Sequence, residues 1–176
     1  MWLWQCSHKF LCTSEVYTNS VEIELVTSDF EQMVEKTHLA LKEFYKGDPE
    51  PYRMLCSLGQ DVSLLGAFGG ISVGPKEVNK HLTTRASYFQ AGHNVSFENL
   101  VKFSIRDLGY TVEVERFEAR VGGTDETVRV ALRATTIFRR EDGEWKVAHR
   151  IGDPLVSMID PPTYRSLAKH NVEMKE

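Results

Sequence analysis

One histidine interrupts an apolar strand pattern near the end of the chain. The alternate positions of this strand are Trp145, Val147, His149 and Ile151, with Asp153 at the same spacing. Strict alternation predicts a strand with one buried face, so His149 is expected to point inward and Arg150 outward, toward solvent or a dimer interface. Because an imidazole with a pKa of about 6.5 exchanges protons near neutral pH, His149 is the leading acid–base candidate. A histidine that only lines the sheet is the alternative.

Three further side chains are candidates for assisting roles. The hydroxyl of Tyr110 needs a hydrogen-bond partner if it is buried. Asp61 begins a short predicted strand, where it either points into the interior or closes a turn with the preceding glutamine. Asp153 either orients His149 or forms a turn with the proline that follows it. Turn formation is the favoured interpretation for both aspartates, because aspartate side chains bond readily to nearby backbone.

Several aromatic side chains are candidates for lining a ligand pocket. They are Tyr45, Phe68, Phe89, Phe103, Tyr110 and Trp145. Large aromatics occupy hydrophobic cores and also line most small-molecule sites. Core packing is therefore the main alternative for each of them, and Asp153 is the polar residue predicted to join this pocket.

The composition limits the classes of protein to which the chain can belong. Its 176 residues, 41% of them hydrophobic, suffice for one domain with a core. The net charge of −4 disfavours nucleic-acid binding, which needs a basic excess. The apolar runs are too short for a membrane span. Cys6, Cys12 and Cys56 show neither metal-ligand spacing nor a disulfide framework, so free thiols and a cytoplasmic location are expected.

The first long helix is predicted to begin at a capping box. Ser28 is followed by Glu31 in the spacing that satisfies two backbone N–H groups, and an apolar stripe then extends over residues 30–45. Residues 1–27 are predicted to be an extension, with a β-prone segment over residues 20–27. A translation start placed too far upstream is the alternative explanation for this extension.

Two more helices and one strand are predicted before the sheet. Asp48 is the predicted N-cap of a short second helix, because a proline stands at its first helical position. A short strand over residues 61–65 leads into a glycine-rich bend over residues 66–70. A third helix is then predicted from the glycine–proline pair at 74–75 to near Gly92.

The rest of the chain predicts an antiparallel sheet. Alternating apolar residues mark strands over 95–106 and 110–121, and an apparent change of phase near Glu115 predicts a β-bulge. Residues 127–153 form a long predicted hairpin around Asp142–Gly143, a pair that favours tight hairpin turns. Helices followed by a bent antiparallel sheet predict an α+β fold.

The order of these elements and four short motifs resemble a known family. The motifs are GD between the first two helices, FGG in the bend, FRREDGEWKV in the hairpin and HRIGDP after it. Together they are similar to the SnoaL-like branch of the nuclear transport factor 2-like superfamily. The resemblance implies a cystatin-like cone, in which a bent antiparallel sheet wraps around N-terminal helices and leaves an apolar pocket. Residues 28–160 then form the SnoaL-like domain, and residues 161–176 form a C-terminal tail.

The resemblance also allows ketosteroid isomerase chemistry to be tested on this chain. The position of the general-base aspartate in those isomerases falls here on Gly66, or at best on Ala67. Their oxyanion-binding acid falls on about Thr136, and their first-helix tyrosine falls near Ala40. Removing a proton beside a carbonyl requires a base and a donor to the enolate, so this mechanism is disfavoured.

The resemblance and the glycine pattern argue against a metal and a cofactor. Relatives often carry His-x-His in the last strand, and Ile151 replaces the second histidine here. Gly69, Gly70 and Gly74 match neither a dinucleotide nor a nucleotide motif. We therefore predict no bound metal and no cofactor.

Three functions remain open after these considerations. The first, ranked highest, is binding of a small apolar or amphipathic molecule in the cone pocket. Many relatives form homodimers through the outer face of the sheet, and the resemblance implies the same here. The second is a cofactor-independent isomerase, hydratase or polyketide-cyclase-type enzyme, with His149 as acid–base and Tyr110 or Asp61 assisting. The third is a protein-interaction module.

Overall fold

Three helices and two short strands precede four long strands in this fold. The computed structural model describes residues 15–173, with side-chain surroundings for residues 29–168. The elements in chain order are α1 (Glu15–Phe44), α2 (Glu50–Arg53), β1 (Ser63–Leu65), β2 (Ile71–Val73), α3 (Pro75–Ala86), β3 (Phe89–Ile105), β4 (Leu108–Val121), β5 (Thr127–Glu141), β6 (Glu144–Pro154) and α4 (Pro161–Glu173). None of the described helices is both long and apolar enough to cross a membrane.

Helix α1 begins earlier than the capping box predicts. The helix starts at Glu15, so Ser28 lies inside it and the predicted strand over residues 20–27 is helical instead. Extending an existing helix adds one hydrogen bond per residue without a new nucleation cost, and this outweighs weak β-propensity. The part of the predicted extension before Glu15 lies outside the described residues. The apolar stripe from Phe30 to Tyr45 is buried as predicted.

The six strands form one open sheet in the order β2-β1-β6-β5-β4-β3. Strands β3 to β6 form an antiparallel meander, β1 pairs in parallel with β6, and β2 pairs antiparallel with β1. Strand β2 was not predicted, because its three residues are too few to show alternation. We call the face that packs on α1 the inner face and the opposite one the outer face. The α+β architecture predicted from the sequence is confirmed.

The bulge predicted near Glu115 in β4 is wrong. Strand β4 pairs with β5 in continuous register from Leu108 to Arg120, so its residues alternate strictly. Glu113 and Glu115 lie on the inner face and are 3% and 0% exposed. The apparent change of phase arose because these two acidic side chains occupy positions where apolar residues were expected.

The sheet bends at irregularities in β3 instead. The pairing of β3 with β4 shifts register three times, between Gln90 and Val101. Near the first shifts, Ala91 and Asn94 adopt positive φ values of 55° and 52°. Between them, Gly92 passes over the end of α1 so closely that an added Cβ would lie 2.4 Å from the Tyr45 carbonyl oxygen. Glycine is therefore required where the sheet curves around the helix.

A bulge in β6 reverses the predicted facing of His149 and Arg150. Ile137 pairs with His149, but the next residue of β5 pairs with Val147, so Ala148 is an extra residue in β6. Alternation restarts after this residue. Arg150 consequently faces inward and is 6% exposed, whereas His149 lies on the outer face.

Candidate functional site

An inner cavity lies between the inner face of the sheet, helices α1 to α3 and the bend that joins β1 to β2. Its volume is about 60 Å³. Much of the lining is apolar, with contributions from Leu41, Phe44, Leu64, Phe68, Leu82 and Leu132. Five side chains bring polar atoms to the lining, namely Tyr45, Tyr52, His81, Arg85 and Arg150. These five determine what chemistry the cavity can support.

Arg150 forms a buried ion pair at one wall of the cavity. Its Nη2 donates to both carboxylate oxygens of Glu115 at 2.7 Å, and its Nη1 donates to Thr136 at 3.1 Å. The Tyr45 hydroxyl donates to the same carboxylate at 2.6 Å. Burial is the largest single effect and lowers the pKa of Arg150, but the charge of Glu115, the two tyrosines and the Glu115 hydrogen bond together exceed it, so the net shift is upward. Arg150 therefore stays charged and paired, and its charge is not free to attract an anion.

Tyr52 brings a buried hydroxyl to the same wall. The side chain is 1% exposed, and its hydroxyl has no hydrogen-bond partner among the described residues. The Arg150 guanidinium lies 6.0 Å from the centre of the Tyr52 ring. Burial raises the pKa of Tyr52 far above its ordinary value, and this effect exceeds the opposing effect of Arg150. The hydroxyl therefore remains protonated and can donate a hydrogen bond.

His81, on α3, brings a nitrogen to the cavity. Its Nδ1 is 3.0 Å from the Ser72 hydroxyl on β2, which fixes the ring orientation. Its Nε2 is buried and has no hydrogen-bond partner among the described residues. Burial, and then the nearby Arg85 charge, lower the pKa of His81 below its ordinary value. The imidazole is therefore neutral at pH 7.

Gly66 leaves the space that His81 occupies. A Cβ built on Gly66 would lie 2.7 Å from the His81 Nε2, which is closer than real side chains approach. The glycine is thus the reason that an imidazole from α3 can reach the end of β1. Gly66 has no side chain of its own, and the His81 side chain from α3 occupies the space beside it.

Arg85, Phe68 and Tyr88 lie where the inner cavity adjoins a surface groove. The Arg85 guanidinium lies 5.6 Å from the ring centre of Phe68 and 5.4 Å from that of Tyr88, distances typical of cation–π contacts. Its Nη2 also donates to the Gly69 carbonyl at 3.1 Å. The groove outside has a volume of about 280 Å³ and shares His81 and Arg85 with the cavity. The inner cavity and the groove therefore adjoin at His81 and Arg85.

Only part of the predicted pocket lines this cavity. Tyr45, Phe68 and Phe89 line it. Trp145 lies instead in the core, 5.2 Å from Phe30 between ring centres, with the Arg140 guanidinium 4.9 Å from its ring. The sequence could not separate these positions, because both are buried and aromatic.

Three predicted residues lie on the outer face of the sheet. Phe103 and Tyr110 pair across β3 and β4, with ring centres 5.8 Å apart. Asp153 pairs with Arg133 on the same face. Phe103 and Asp153, which the sequence predicted to line a pocket, therefore point away from the cavity.

His149 and Asp61, both proposed as catalytic from the sequence, also lie away from the cavity. His149 Nδ1 is 2.9 Å from the Ser63 hydroxyl on the outer face, and burial lowers the pKa of its imidazole. Asp61 is exposed and accepts hydrogen bonds from Arg139 at 2.5 and 3.0 Å. These hydrogen bonds lower the pKa of Asp61. The structure thus does not bring His149, Tyr110 and Asp61 together.

The spacing of residues in α3 indicates that His81 points toward the interior. His81 follows Val78 by three residues and precedes Arg85 by four, so all three lie along one side of α3. Because Val78 is buried, the same side of the helix had to bring His81 toward the interior. No pattern in the sequence predicts that Arg150 faces inward, because the extra residue in β6 does not change the alternation of polar and apolar residues.

No metal site is found in the part of the chain that the structure describes. Within it, no three histidine, cysteine, aspartate or glutamate side chains are grouped so as to hold an ion. The polar groups of the cavity are instead a hydroxyl, an imidazole and a neutralised ion pair. They suit hydrogen bonding and proton exchange with a small molecule.

Comparison with known proteins identifies the fold through structure alone. No family model matches the sequence, and no curated protein matches it. A nuclear transport factor 2-like superfamily protein from Salmonella enterica serovar Typhimurium is 10% identical with a TM-score of 0.64, over 79% of this chain and 97% of its own. A ketosteroid isomerase-like protein from Erwinia carotovora atroseptica is 14% identical with a TM-score of 0.62, over 74% and 96% of the two chains.

A third solved structure extends the same comparison. A protein of unknown function with a cystatin-like fold from Nostoc punctiforme is 16% identical with a TM-score of 0.57, over 76% of this chain and 94% of its own. At such low identities the likeness shows the fold. This chain has the nuclear transport factor 2-like, cystatin-like fold.

Proposed function

We propose that this chain is a SnoaL-like protein that binds a small apolar or amphipathic molecule in its inner cavity. The observation that carries the proposal is the combination of an apolar cavity with two buried polar atoms, the Tyr52 hydroxyl and the His81 Nε2, that have no partner among the described residues. Buried polar atoms are almost always hydrogen-bonded in native proteins. A ligand hydroxyl group that accepts from Tyr52 or donates to His81 Nε2 would supply such a partner.

The volume and charge of the cavity limit the ligand. A cavity needs at least about 10–15 Å³ of this volume to hold a single water, so the inner cavity, with about 60 Å³, suits a small ring or a short chain. Glu115 neutralises Arg150, which favours an uncharged group inside the cavity. Any polar remainder of the ligand would lie past Phe68 in the surface groove, beside Arg85.

Filling the cavity tests the proposal. A Cβ at Gly152 meets its nearest atom, the Arg150 Nη2, at 3.7 Å, which is ordinary contact. Gly152→Val should therefore fold and occupy part of the cavity. The probe is para-cresol, an apolar ring with one hydroxyl, and ligand-detected NMR should show saturable binding to the wild-type chain. We expect Gly152→Val to abolish that binding.

A matched substitution controls for general effects on the sheet. Ala131 lies on the outer face of β5, so Ala131→Val adds an equivalent branched side chain away from the cavity. It should leave para-cresol binding unchanged. Absence of binding to the wild-type chain, or equal binding to Gly152→Val, would contradict the proposal.

Two further proposals complete this assignment. We propose a homodimer formed through the outer face, where apolar side chains of β3 and β4 are exposed. We also propose a cytoplasmic location, because Cys56 is a free thiol, as expected in a reducing compartment. The alternative enzyme with His149 as acid–base has no support from the position of that residue on the outer face.

A further inference from the structure

We propose that the surface groove between β2 and α3 is a second binding site, which takes a small apolar monocarboxylate and holds its carboxylate on the Arg85 guanidinium. The groove has a volume of about 280 Å³. Its lining combines two cations, one carboxylate, a tyrosine ring and an isoleucine. The proposal goes beyond the binding function assigned to the inner cavity, because it requires only groups of the groove.

Arg85 differs from the other arginines that are buried or half-buried in the described part of the chain. Its guanidinium forms no ion pair with a described carboxylate, and its one hydrogen bond there goes to a backbone carbonyl. Withdrawing a charge from water without a counter-charge is costly, so a bound anion would stabilise Arg85. The other four arginines each have such a partner: Arg120 pairs with Asp125, Arg139 with Asp61 and Glu141, Arg140 with Asp29, and Arg150 with Glu115.

The contacts that hold Arg85 in place leave most of its N–H groups unused. The guanidinium carbon lies over the rings of Phe68 and Tyr88, 5.6 and 5.4 Å from their centres, and Nη2 donates to the Gly69 carbonyl at 3.1 Å. A guanidinium carries five N–H donors. None of the Arg85 nitrogens is a buried atom without a partner, so the unused donors reach solvent. A planar carboxylate matches the spacing of such donors.

The charge of the groove suits one carboxylate better than a dianion. Arg85 and Lys80 contribute two positive charges to the lining, and Glu77 contributes one negative charge. His81 also lines the groove, but burial, and then the Arg85 charge, lower its pKa, so it is neutral at pH 7. Two positive charges and one negative charge leave a single net positive charge. A ligand with one negative charge therefore neutralises the groove.

Apolar surface beside Arg85 indicates the rest of the ligand. Ile71 lines the groove although it is 72% exposed, and the Tyr88 ring lines it as well. Small-molecule sites commonly combine apolar and aromatic walls with one charged group that fixes the orientation of the ligand. The chemical class that fits is therefore a small carboxylic acid with an aromatic or branched apolar body.

Benzoate and benzamide are matched probes for this site, because they share one ring and differ in charge. Ligand-detected NMR titrations of the full chain measure both affinities. Benzoate should bind saturably and about 10-fold or more tightly than benzamide, as expected of a hydrogen bond to a charged group. An ionic strength of about 1 M, where the screening length is about 3 Å, should reduce this preference. Phenyl phosphate, largely a dianion at neutral pH, should bind no more tightly than benzoate.

Arg85→Gln should remove the preference for the charged probe. Benzoate should lose about 10-fold in affinity, whereas benzamide should bind as before. Lys76→Gln is the matched control, since it makes the same change of charge on α3 but lies outside the groove lining, and it should leave benzoate affinity unchanged. Thermal melts show whether each variant is folded. The two probes on the wild-type chain decide the question even if Arg85→Gln does not fold.

The groove site and the inner cavity can fail separately. Gly152→Val, which should abolish para-cresol binding, should leave benzoate binding unchanged. Equal affinities for benzoate and benzamide, or equal losses of both probes in Arg85→Gln, would overturn the groove site and leave the cavity function standing. The same conclusion follows if Lys76→Gln weakens benzoate as much as Arg85→Gln does, or if Gly152→Val abolishes benzoate binding. Tighter binding of phenyl phosphate than of benzoate would overturn the assignment to monocarboxylates.

Discussion

The buried ion pair of Arg150 and Glu115 links three strands through individual atoms. Arg150 belongs to β6, Glu115 to β4, and Thr136, which accepts a bond from Arg150, lies on β5 between them. Burying an isolated charge costs several kcal/mol. The pair and the Tyr45 hydroxyl offset that cost through hydrogen bonds of 2.6–2.7 Å. The same bonds fix the relative position of the three strands.

Removing one charge of this pair should destabilise the protein strongly. Glu115→Gln leaves Arg150 buried without a counter-charge, and we expect the free energy of unfolding to fall by about 3–5 kcal/mol. Urea denaturation measures the change. The double variant Glu115→Leu with Arg150→Met removes both charges and should recover most of the loss. Additive losses in the double variant would show that the pair is not coupled.

Acid should weaken the fold through its two half-buried histidines. Burial lowers the pKa of both His81 and His149 in the folded chain, whereas unfolded histidine titrates near 6.5. Between these values the unfolded state binds more protons, so stability is complete above about pH 6.5 and falls as the pH decreases. Urea midpoints measured from pH 7 to pH 5 should decrease. The double variant His81→Gln, His149→Gln should flatten this dependence, and an unchanged slope would contradict it.

At the scale of elements, alternation and helical spacing correctly predicted which residues of regular helices and strands are buried. The stripe of α1, the hairpin around Asp142–Gly143 and the inner face of β5 from Val128 to Phe138 all follow from apolar spacing. The wrong bulge in β4 and the missed bulge in β6 have one cause. In both strands, the alternation of polar and apolar residues was taken to show which face of the sheet each side chain occupies. A buried glutamate imitated a bulge at Glu115, and a real bulge at Ala148 left the polarity pattern undisturbed.

The candidate site was less predictable than the fold for a related reason. Its residues come from α1, α2, β1, α3, β3, β5 and β6, so no local pattern contains it. Aromatic type pointed to Tyr45, Phe68 and Phe89, and these three side chains line the inner cavity. The pairing of His81 with the space above Gly66 depends on how α3 packs on β1, which no spacing within either element determines.

The bend of β3 over α1 should depend on Gly92. A Cβ at this position would lie 2.4–2.8 Å from atoms of Tyr45, including its backbone. Gly92→Ala should therefore destabilise the fold by about 1–3 kcal/mol, the usual cost of overpacking. Gly152→Ala is the matched control, because its Cβ meets no atom closer than 3.7 Å. Equal losses in the two variants, measured by urea denaturation, would show that the close approach is not the cause.

At the scale of the whole molecule, the two faces of the sheet have different surroundings. The inner face is covered by α1 and α3 and forms the cavity wall, with buried side chains such as Phe117 and Leu132. Part of the outer face is apolar, and no element of the described residues covers it. Its exposed members on β3 and β4 are Val101, Phe103, Ile105, Leu108 and Tyr110, which are 36–58% exposed. A contiguous apolar patch of this kind is typical of an association surface.

A homodimer through this patch should be broken by one charge. A two-fold interface places the same residue on both partners, so Phe103→Glu introduces two carboxylates into one contact. Sedimentation velocity over a concentration series should show a dimer for the wild-type chain and a monomer for Phe103→Glu. Val73→Glu is the control, since Val73 is similarly exposed, at 57%, but lies on β2 at the far edge of the sheet. A stable interface buries about 800 Å² per partner. A monomeric wild-type chain, or equal effects of the two substitutions, would exclude this interface.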